Sequence, residues 1–443
     1  MIEGLLIGAA ATAVAAAAQM FTKGKWKAVA SDLGLELSSS FFSGQRIQGR
    51  LRDFGVEIRQ TSDESGTGRI VIEVDGVDPG FTLGRDNALI RMMKTDIQTG
   101  DQLFDQRTRI EGNEACALAL LGHEARRLTD IVVSKSKGKL AERKLQASVA
   151  EVRKAPAVLA RMLDLAHLLR RPLPDEIPGL LAERAQNDLS NGVRLHAFRL
   201  LASSFHRSSE VRSTATELLT SPNTELRLEA CRALLRGEES ERTLAAQELA
   251  QLALHRHLDS ATRRVALESL SPEEFREIAV PTMAQLLEKV EDHPAEIRRV
   301  ALDGLIRARA TAELLAVEPS DDPAEAERLA RGLGHLGDSA VQPRLLLLLN
   351  HPEDSVRTAA AQALGAVGDP GAVGALRKIA SASSLFKSAL ARAAETAIQE
   401  IKSRAGGTQA GEISIATTAE VDGALSHADE VSRSEGGEVS LTS

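Results

Sequence analysis

The hydrophobic positions in the second half of the chain recur at helical spacing. The repeated pattern is an aliphatic residue, Arg, two residues, Ala, three residues and Leu, which places its apolar members at i, i+4 and i+8 on one stripe of an α-helix. Its arginines are Arg194, Arg227, Arg298 and Arg357, with weaker copies at Arg212 and Arg263. From Arg194 to Arg298 the successive copies, counting Arg263, are 33 to 36 residues apart. A period in this range predicts a stack of similar helical units over residues 146–404.

The segments between the predicted helices share a pattern of their own. Gly368, Asp369 and Pro370 supply a helix-ending residue, a cap and a first helical position, and Leu333–Asp338 repeats this order. With the repeated Arg pattern, these residues resemble HEAT-like repeats, and Glu353–Ala380 is similar to the short repeats of bilin-lyase relatives. The resemblance implies a mainly α fold with a C-terminal α-α superhelix. It does not imply one function, because HEAT arrays serve many roles.

An acidic residue precedes five of the six repeat arginines, all but Arg194, by two to four positions. Negative charge is favoured at the start of a helix, so we expect these acids in caps or first turns. We also expect the arginine of one repeat to pair with the acid of the next, which would form a ladder. The acids are Glu210, Glu225, Asp259, Glu296 and Asp354.

Residues 25–145 follow a different period. Polar and apolar residues alternate over Arg46–Arg52, Gly55–Thr61 and Arg69–Asp75, which predicts an antiparallel meander. An Ala- and Leu-rich helix is expected over Glu114–Arg127, and Ile131–Leu140 is read either as a small hairpin or as the start of a basic linker. The region is therefore predicted to form a small α+β domain.

The segment Asp96–Arg127 contains a "TGD…FD…G" stretch followed by the Ala/Leu helix. It resembles a module of uncharacterised bacterial membrane-anchored proteins, which implies no known chemistry. We interpret its Asp101 and Asp105 as turn and strand-start residues.

Residues 4–21 carry no charge and are followed by Lys23, Lys25 and Lys27. The run is just long enough to cross a bilayer, and the lysines predict that everything after it is cytoplasmic. Residues 1–24 are therefore interpreted as a membrane anchor. The alternatives are a cleaved signal peptide and an Ala-rich helix of a soluble cytoplasmic protein.

After Arg404 the composition changes to Gly, Ser, Thr, Ala and acidic residues, which predicts a disordered acidic tail over residues 405–443. The pattern G-x-aliphatic-S recurs there at Gly411, Gly423 and Gly437. These segments are typical of peptides that add a strand to a partner protein. Chance recurrence in a low-complexity tail explains them equally well.

Composition narrows the classes of ligand. The 443 residues carry a net charge of −8, ten Phe, one Trp and no Tyr. The negative charge argues against a general nucleic-acid binder, and scarce aromatics argue against small-molecule and nucleobase sites. Cys116 and Cys231 are too few and too far apart for a disulfide framework, and we interpret both as core residues.

Two sequence motifs have a catalytic interpretation and a more ordinary one. Gly332–Gly337 matches the dinucleotide-binding pattern G-x-G-x-x-G but follows a helix, so we predict a helix terminus. The pair His123-Glu124 is similar to the metal-binding pairs of HEAT-type deoxyhypusine hydroxylases, but those enzymes carry several pairs on successive repeats. No metal, cofactor or catalytic site is predicted.

The run of residues 135–171 is net basic and contains no aromatic residue. It is interpreted as a solvated helix face, or as an electrostatic surface for lipid headgroups or nucleic acid.

The sequence as a whole predicts a non-catalytic scaffold that binds partner proteins through the concave face of the repeats, near the cytoplasmic face of a membrane. The alternatives are a bilin-lyase-like enzyme and the electrostatic binder just described. Arginines that follow the repeat arginines and are left unpaired by the ladder are the predicted contact residues. They are Arg199, Arg232, Arg264 and Arg299.

Overall fold

The computed structural model describes residues 23–40, 44–62, 68–85, 96–288, 293–318, 321–381 and 388–420, with the backbone alone for residues 406–420. The predicted mainly α fold is confirmed, because an N-terminal antiparallel sheet is followed by a long series of helices. The chain divides into two compact units, Met1–Gln251 and Leu252–Ser443. The first unit therefore contains both the sheet and the first helical repeats.

Eight strands within the described residues form one antiparallel sheet in the order β1-β2-β3-β4-β8-β7-β5-β6. The predicted meander corresponds to β2, β3 and β4. The strands are β1 Glu36–Ser40, β2 Gly44–Leu51, β3 Phe54–Ser62, β4 Gly68–Asp75, β5 Phe81–Arg85, β6 Thr108–Gly112, β7 Lys139–Ala141 and β8 Lys144–Val149.

The two faces of this sheet differ in polarity because side chains alternate along each strand. On one face Ile47, Ile58, Ile72 and Ala147 lie opposite one another on four successive strands, and all are buried. On the other face Arg59 donates to Glu73, which also accepts from Gln146.

Two helices lie on the apolar face of the sheet. The first, α1, covers residues 23–33 and buries Trp26 and Val29, and Leu35 just after it contacts Gly49 of β2. The second, α5, covers Ala155–Leu168 and packs against β4 and β8.

The segment between β5 and β7 differs from its predicted form. A short helix α2, Gln102–Asp105, precedes β6, and the single helix expected over Glu114–Arg127 is two helices, α3 Glu114–Leu120 and α4 His123–Thr129. The break falls at Gly122, where an added Cβ would lie 2.5 Å from Nη1 of Arg184. The closely packed Arg184 side chain therefore fixes the position of this turn.

The prediction for Ile131–Leu140 is also corrected. Asp130–Lys135 forms a turn of π-helix, and the hairpin that follows consists of β7 and β8, so it begins later than the sequence indicated. The sheet thereby continues to Val149.

The helices of the first unit after the sheet pack against the next helix along the chain and against the one after it. α6 contacts α7 and α8, and α9 contacts α7 and α8. α10 crosses the division between the units. The bounds are α6 Ile177–Asn187, α7 Asn191–Ser204, α8 Ser209–Leu218, α9 Thr224–Leu234 and α10 Glu239–Leu254.

In the second unit the longer helices α13, α15, α17 and α19 pack one against the next. The predicted apolar stripe is their shared core, since Val356, Ala360 and Leu364 of α17 are all fully buried. The bounds are α11 Ser260–Ser269, α12 Arg276–Leu287, α13 Ala295–Arg307, α14 Thr311–Ala316, α15 Pro323–Leu336, α16 Gln342–Leu348, α17 Asp354–Val367, α18 Val373–Ser381 and α19 Ala389–Glu420.

Most of the predicted helix caps, first turns and helix ends are confirmed. All five acids that precede the repeat arginines lie in a cap or a first turn. The G-x-G-x-x-G segment is the end of α15, where Gly337 takes the left-handed conformation with φ of 73°. Gly368 does not take that conformation, and its φ is −69°.

Several predictions fall partly or wholly outside the described residues. The predicted anchor over residues 4–21 lies outside them, as do Gly423 and Gly437 of the tail. The helix α19 continues to Glu420 and so overlaps the tail for which the sequence predicted no structure.

Candidate protein-binding surface

Three of the repeat arginines point into the protein, whereas Arg212 is exposed and pairs with Glu238. Nε of Arg194 donates to the carbonyl of Ala185 at 2.9 Å, and Nε of Arg263 donates to the carbonyl of Ala253, also at 2.9 Å. Nη1 of Arg298 reaches the carbonyl of Leu287 at 3.4 Å. Each carbonyl belongs to the end of a preceding helix, where backbone acceptors lack a helical partner. These arginines therefore satisfy helix ends within the repeats.

The predicted ladder of repeat arginines and acids is not formed as expected. Arg298 does pair with an acid of the following repeat, at 2.8 Å, but that acid is Glu325, and the pair is almost completely buried. Arg227 pairs with Glu248, and Arg357 pairs with Asp354 of its own helix. The geometry of the inward-pointing side chain, rather than charge spacing in sequence, decides the partner.

The four predicted contact arginines lie on α7, α9, α11 and α13, and each is about half exposed. Each of them forms an ion pair. Arg199 and Arg232 share Glu229, Arg264 pairs with Glu296 at 3.3 Å, and Arg299 pairs with Asp322 at 2.7 Å.

The predicted ladder of arginines and acids is partly present, but the arginines that form it are not the repeat arginines themselves. Arg264 and Arg299 each follow a repeat arginine directly, and their acids come from the next repeat. The outward ladder is therefore carried by arginines next to the repeat arginines. A role for the four residues in binding a partner stays a prediction.

Arg199 and Arg232 lie at the edge of a groove between α7 and α9, which we call the α7–α9 groove. One pocket of about 660 Å³ and a second of about 230 Å³ adjoin in it. The two pockets share a floor of small residues and one arginine, namely Ala202, Ser203, Ala233 and Arg236.

The charges in the α7–α9 groove are unequal. Glu229 accepts from Arg199 at 3.0 and 2.8 Å and from Arg232 at 3.2 Å, all on the single oxygen Oε1. Arg236 is exposed and makes no side-chain hydrogen bond or ion pair within the described part of the chain. Arg212, Glu114 and Glu241 also line the two pockets, so the groove as a whole carries four arginines and three glutamates.

A buried network in the first unit joins the sheet segment to the helical repeats. Arg126 of α4 binds Asp188, just before α7, through two bonds of 2.8 and 2.9 Å, and binds Asp101 at 3.1 Å. Asp105 accepts from Thr99 and the backbone of Gly100. The aspartates of the "TGD…FD" stretch therefore hold a loop, and Asp105 ends a helix instead of starting a strand.

Close backbone packing accompanies this network. The loop at Gly100 touches the start of α7 at Gly192, and a Cβ on either glycine would overlap the carbonyl oxygen of the other. Arg184 of α6 donates to the carbonyl of Ala119 at 3.2 Å. No pattern in the sequence predicts this contact between the sheet segment and the repeats, because the residues that form it are distant along the chain.

The protonation of Asp188 follows from its partners. Burial would raise the pKa of this carboxyl, but the hydrogen bonds from Arg126 and Ser190 and the positive charges of Arg126 and Arg184 outweigh burial and lower it. The pKa of Arg126 is raised, since its bonds to Asp188 and Asp101 outweigh its own burial. Both groups are therefore charged at neutral pH.

Among the described residues no group of three or more His, Cys, Asp or Glu side chains has metal-binding geometry. Glu124 of the His-Glu pair forms an exposed ion pair with Arg127. Cys116 and Cys231 are buried and free, and burial raises the pKa of Cys231 to about 12.

No helix in the described ranges combines the length and apolar character needed to cross a bilayer.

Stacked helix pairs with inward arginines define a helical-repeat protein. More particularly, a family model of HEAT repeats matches residues 310–395, from α14 to the start of α19, so this part of the chain is HEAT-like. No curated protein sequence matches the chain.

Proposed function

We propose that this chain is a non-catalytic scaffold that binds a partner protein through its helical repeats, with the α7–α9 groove as the main contact surface. HEAT repeats generally serve as protein-interaction scaffolds, and residues 310–395 match them. The observation that carries the proposal is the groove, which places exposed arginines around a floor of small side chains.

The groove favours an acidic partner segment. Arg236 has no partner among the described residues, while Arg199 and Arg232 divide one carboxylate oxygen. Arginine is enriched at interface positions that dominate binding energy, and its planar group binds carboxylates through two hydrogen bonds. The floor at Ala202 and Ala233 leaves room for a partner side chain between the arginines.

Arg264 and Arg299 form a second predicted contact set in the second unit. Their ion pairs are half exposed, so a partner carboxylate has access to the same guanidinium groups. Pairs of this kind contribute about 0–1 kcal/mol to folding, and exchanging their partner therefore costs little stability.

We further propose that the scaffold is anchored by residues 4–21 with its remainder in the cytoplasm. The uncharged run followed by Lys23, Lys25 and Lys27 supports this orientation. Full-length protein should resist release from membranes by carbonate, whereas a chain starting at Lys25 should not sediment with them. Release by carbonate would contradict the anchor.

The bilin-lyase-like alternative remains a prediction from the repeat subtype, as does the likeness of the N-terminal module to membrane-anchored proteins. Absorbance of purified full-length protein tests the enzyme alternative. Stoichiometric bound pigment would favour it over the scaffold.

Reversal of charge in the groove tests the scaffold proposal. The variant Arg232→Glu/Arg236→Glu, expressed as full chain in its native cells, should recover at least about thirtyfold less partner than the unchanged chain, since residues of this type contribute 2 kcal/mol or more. Arg377 and Lys378 of α18 are exposed and make no ion pair with the other described residues, so Arg377→Glu/Lys378→Glu provides the matched control. Equal recovery by the two variants, with helical content unchanged, would contradict the groove.

A further inference from the structure

The basic run of residues 135–171 is divided between the two sides of the sheet. Lys139 of β7 lies opposite Gln146 of β8, and Gln146 bonds Glu73 on the polar face. Arg153 and Lys154 instead lie at the start of α5, which packs on the apolar face. The run therefore does not form one surface, although the sequence suggested that it would.

Arg153 meets a second basic segment that is distant in sequence. A surface pocket of about 700 Å³ lies between α1 and the start of α5 and is lined by Lys25, Asp32, Arg153 and Pro156. Lys23 and Lys27 are exposed on the other side of α1, each about 160° around the helix axis from Lys25. We call the surface formed by Lys25, Arg153 and Lys154 the α1–α5 basic face.

Few negative charges balance this face. Within the described residues Arg153 and Lys154 make no side-chain ion pair or hydrogen bond. Asp32 lines the same pocket as Arg153, and Glu151 precedes Arg153 by two residues.

The basic character continues along α5. Arg161 follows Lys154 by seven residues, which returns it to the same exposed side, and Asp164 is neutralised by Arg52 at 2.5 Å. The α1–α5 basic face therefore carries an excess of positive charge, although the net charge of the whole chain is −8.

We propose that the α1–α5 basic face docks on an anionic membrane surface. Clustered lysine and arginine beside a membrane bind acidic lipid headgroups, and each contributes roughly a fivefold gain in partitioning. Lys25 of this face follows the uncharged run of residues 4–21 by four residues, so it is placed by sequence where such a run would meet headgroups. Charge complementarity and this position favour lipid over nucleic acid, whose binding surfaces also present aromatic side chains for stacking. Trp26, next to Lys25 in sequence, is instead buried.

Flotation of the full chain with lipid vesicles tests the proposal. Two sets of vesicles are compared. The neutral set consists of phosphatidylcholine alone, and the anionic set consists of equimolar phosphatidylcholine and phosphatidylserine. The unchanged chain should prefer the anionic set, and Arg153→Glu/Lys154→Glu should lower partitioning to that set by at least about twentyfold. Partitioning to neutral vesicles reports on residues 4–21 and should not change.

Two controls make the outcome decisive. Arg377→Glu/Lys378→Glu makes the same change in net charge far along the chain and should leave anionic binding within about twofold of the unchanged chain. Fluorescence of Trp26, the single tryptophan and 3% exposed, verifies that α1 remains packed in each variant. Equal partitioning of the unchanged chain to both vesicle sets would overturn the proposal, as would an equal loss in the control. Binding of a single-stranded oligonucleotide that is lost in the Arg153→Glu/Lys154→Glu variant, without vesicle preference, would assign the face to nucleic acid instead.

Discussion

The two units of the chain each bury an arginine–carboxylate pair, but the pairs join different kinds of element. In the second unit Arg298 pairs with Glu325, and both belong to successive helical repeats. In the first unit Arg126 belongs to the sheet segment and pairs with Asp188 at the edge of the repeats. Of the repeat arginines in that unit, Arg194 reaches a carbonyl and its neighbour Asn191, and Arg227 forms a partly exposed pair with Glu248.

The comparison shows what the repeat pattern determines. Arg194 in the first unit and Arg263 and Arg298 in the second turn inward toward the end of the preceding helix. The buried carboxylate of the second unit is neutralised by a repeat arginine, whereas that of the first unit is neutralised by Arg126, which lies outside the repeat pattern.

The largest effect should come from the repeat core of the second unit. Leu364→Asp should destabilise it by more than about 5 kcal/mol, because a buried Leu is lost and a carboxylate is left without a partner. Leu347→Asp, at a position 59% exposed, makes the same change on the surface and should cost less than about 1 kcal/mol. Chemical denaturation followed by helical circular dichroism measures both. Similar losses in the two variants would remove Leu364 from the core.

Breaking the buried pair of the first unit should have the next largest effect. Arg126→Met leaves Asp188 charged and buried, which should destabilise that unit by about 3–5 kcal/mol. Arg126→Met/Asp188→Leu removes both charges and should recover much of the loss. Denaturation with Trp26 as a reporter of the first unit tests this pair. A double variant as unstable as the single one would show that the charges do not determine the effect.

A smaller effect is expected where the two glycines meet. Gly192→Ala should destabilise the first unit by about 1–3 kcal/mol, because its Cβ overlaps the carbonyl of Gly100. Gly179→Ala meets open space on α6 and should instead stabilise the helix by up to about 1 kcal/mol. Thermal unfolding of the two variants should therefore shift in opposite directions, and shifts of the same sign would contradict the close approach.

The smallest effect is the dependence of the first unit on pH. The pKa of Asp188 is lowered in the folded chain, so its stabilising contribution is present above the ordinary carboxyl pKa of about 4 and is lost as pH falls through the folded pKa. Arg126→Met/Asp188→Leu should have a flatter stability profile below pH about 4 than the unchanged chain. Parallel profiles measured by denaturant titration would show that other carboxylates dominate.

The sequence predicted the parts of the fold that depend on local pattern. The stripe of Val356, Ala360 and Leu364, the first-turn acids and the alternation of β2, β3 and β4 all arise within a few residues of one another. The joint between Arg126 and Asp188 arises from residues 62 positions apart, and no period or spacing marks it.

The candidate surface was predicted only in part. The spacing of Arg199 and Arg232 indicated exposed positions on successive repeats, which is where they lie. Their shared partner Glu229 and the unpaired neighbour Arg236 depend on how α7 packs against α9, and side-chain pairing at that distance cannot be read from helical period.

Site-specific crosslinking tests the scaffold claim most directly. A photoreactive residue at Ala233 lies on the floor of the α7–α9 groove, and one at Gly374, on α18 with open space around its Cβ, provides a control. In the native cells we predict one dominant protein adduct from the Ala233 position, reduced at least tenfold by Arg236→Glu and absent from the control position. Adducts that are equal at both positions, or unchanged by Arg236→Glu, would contradict the account.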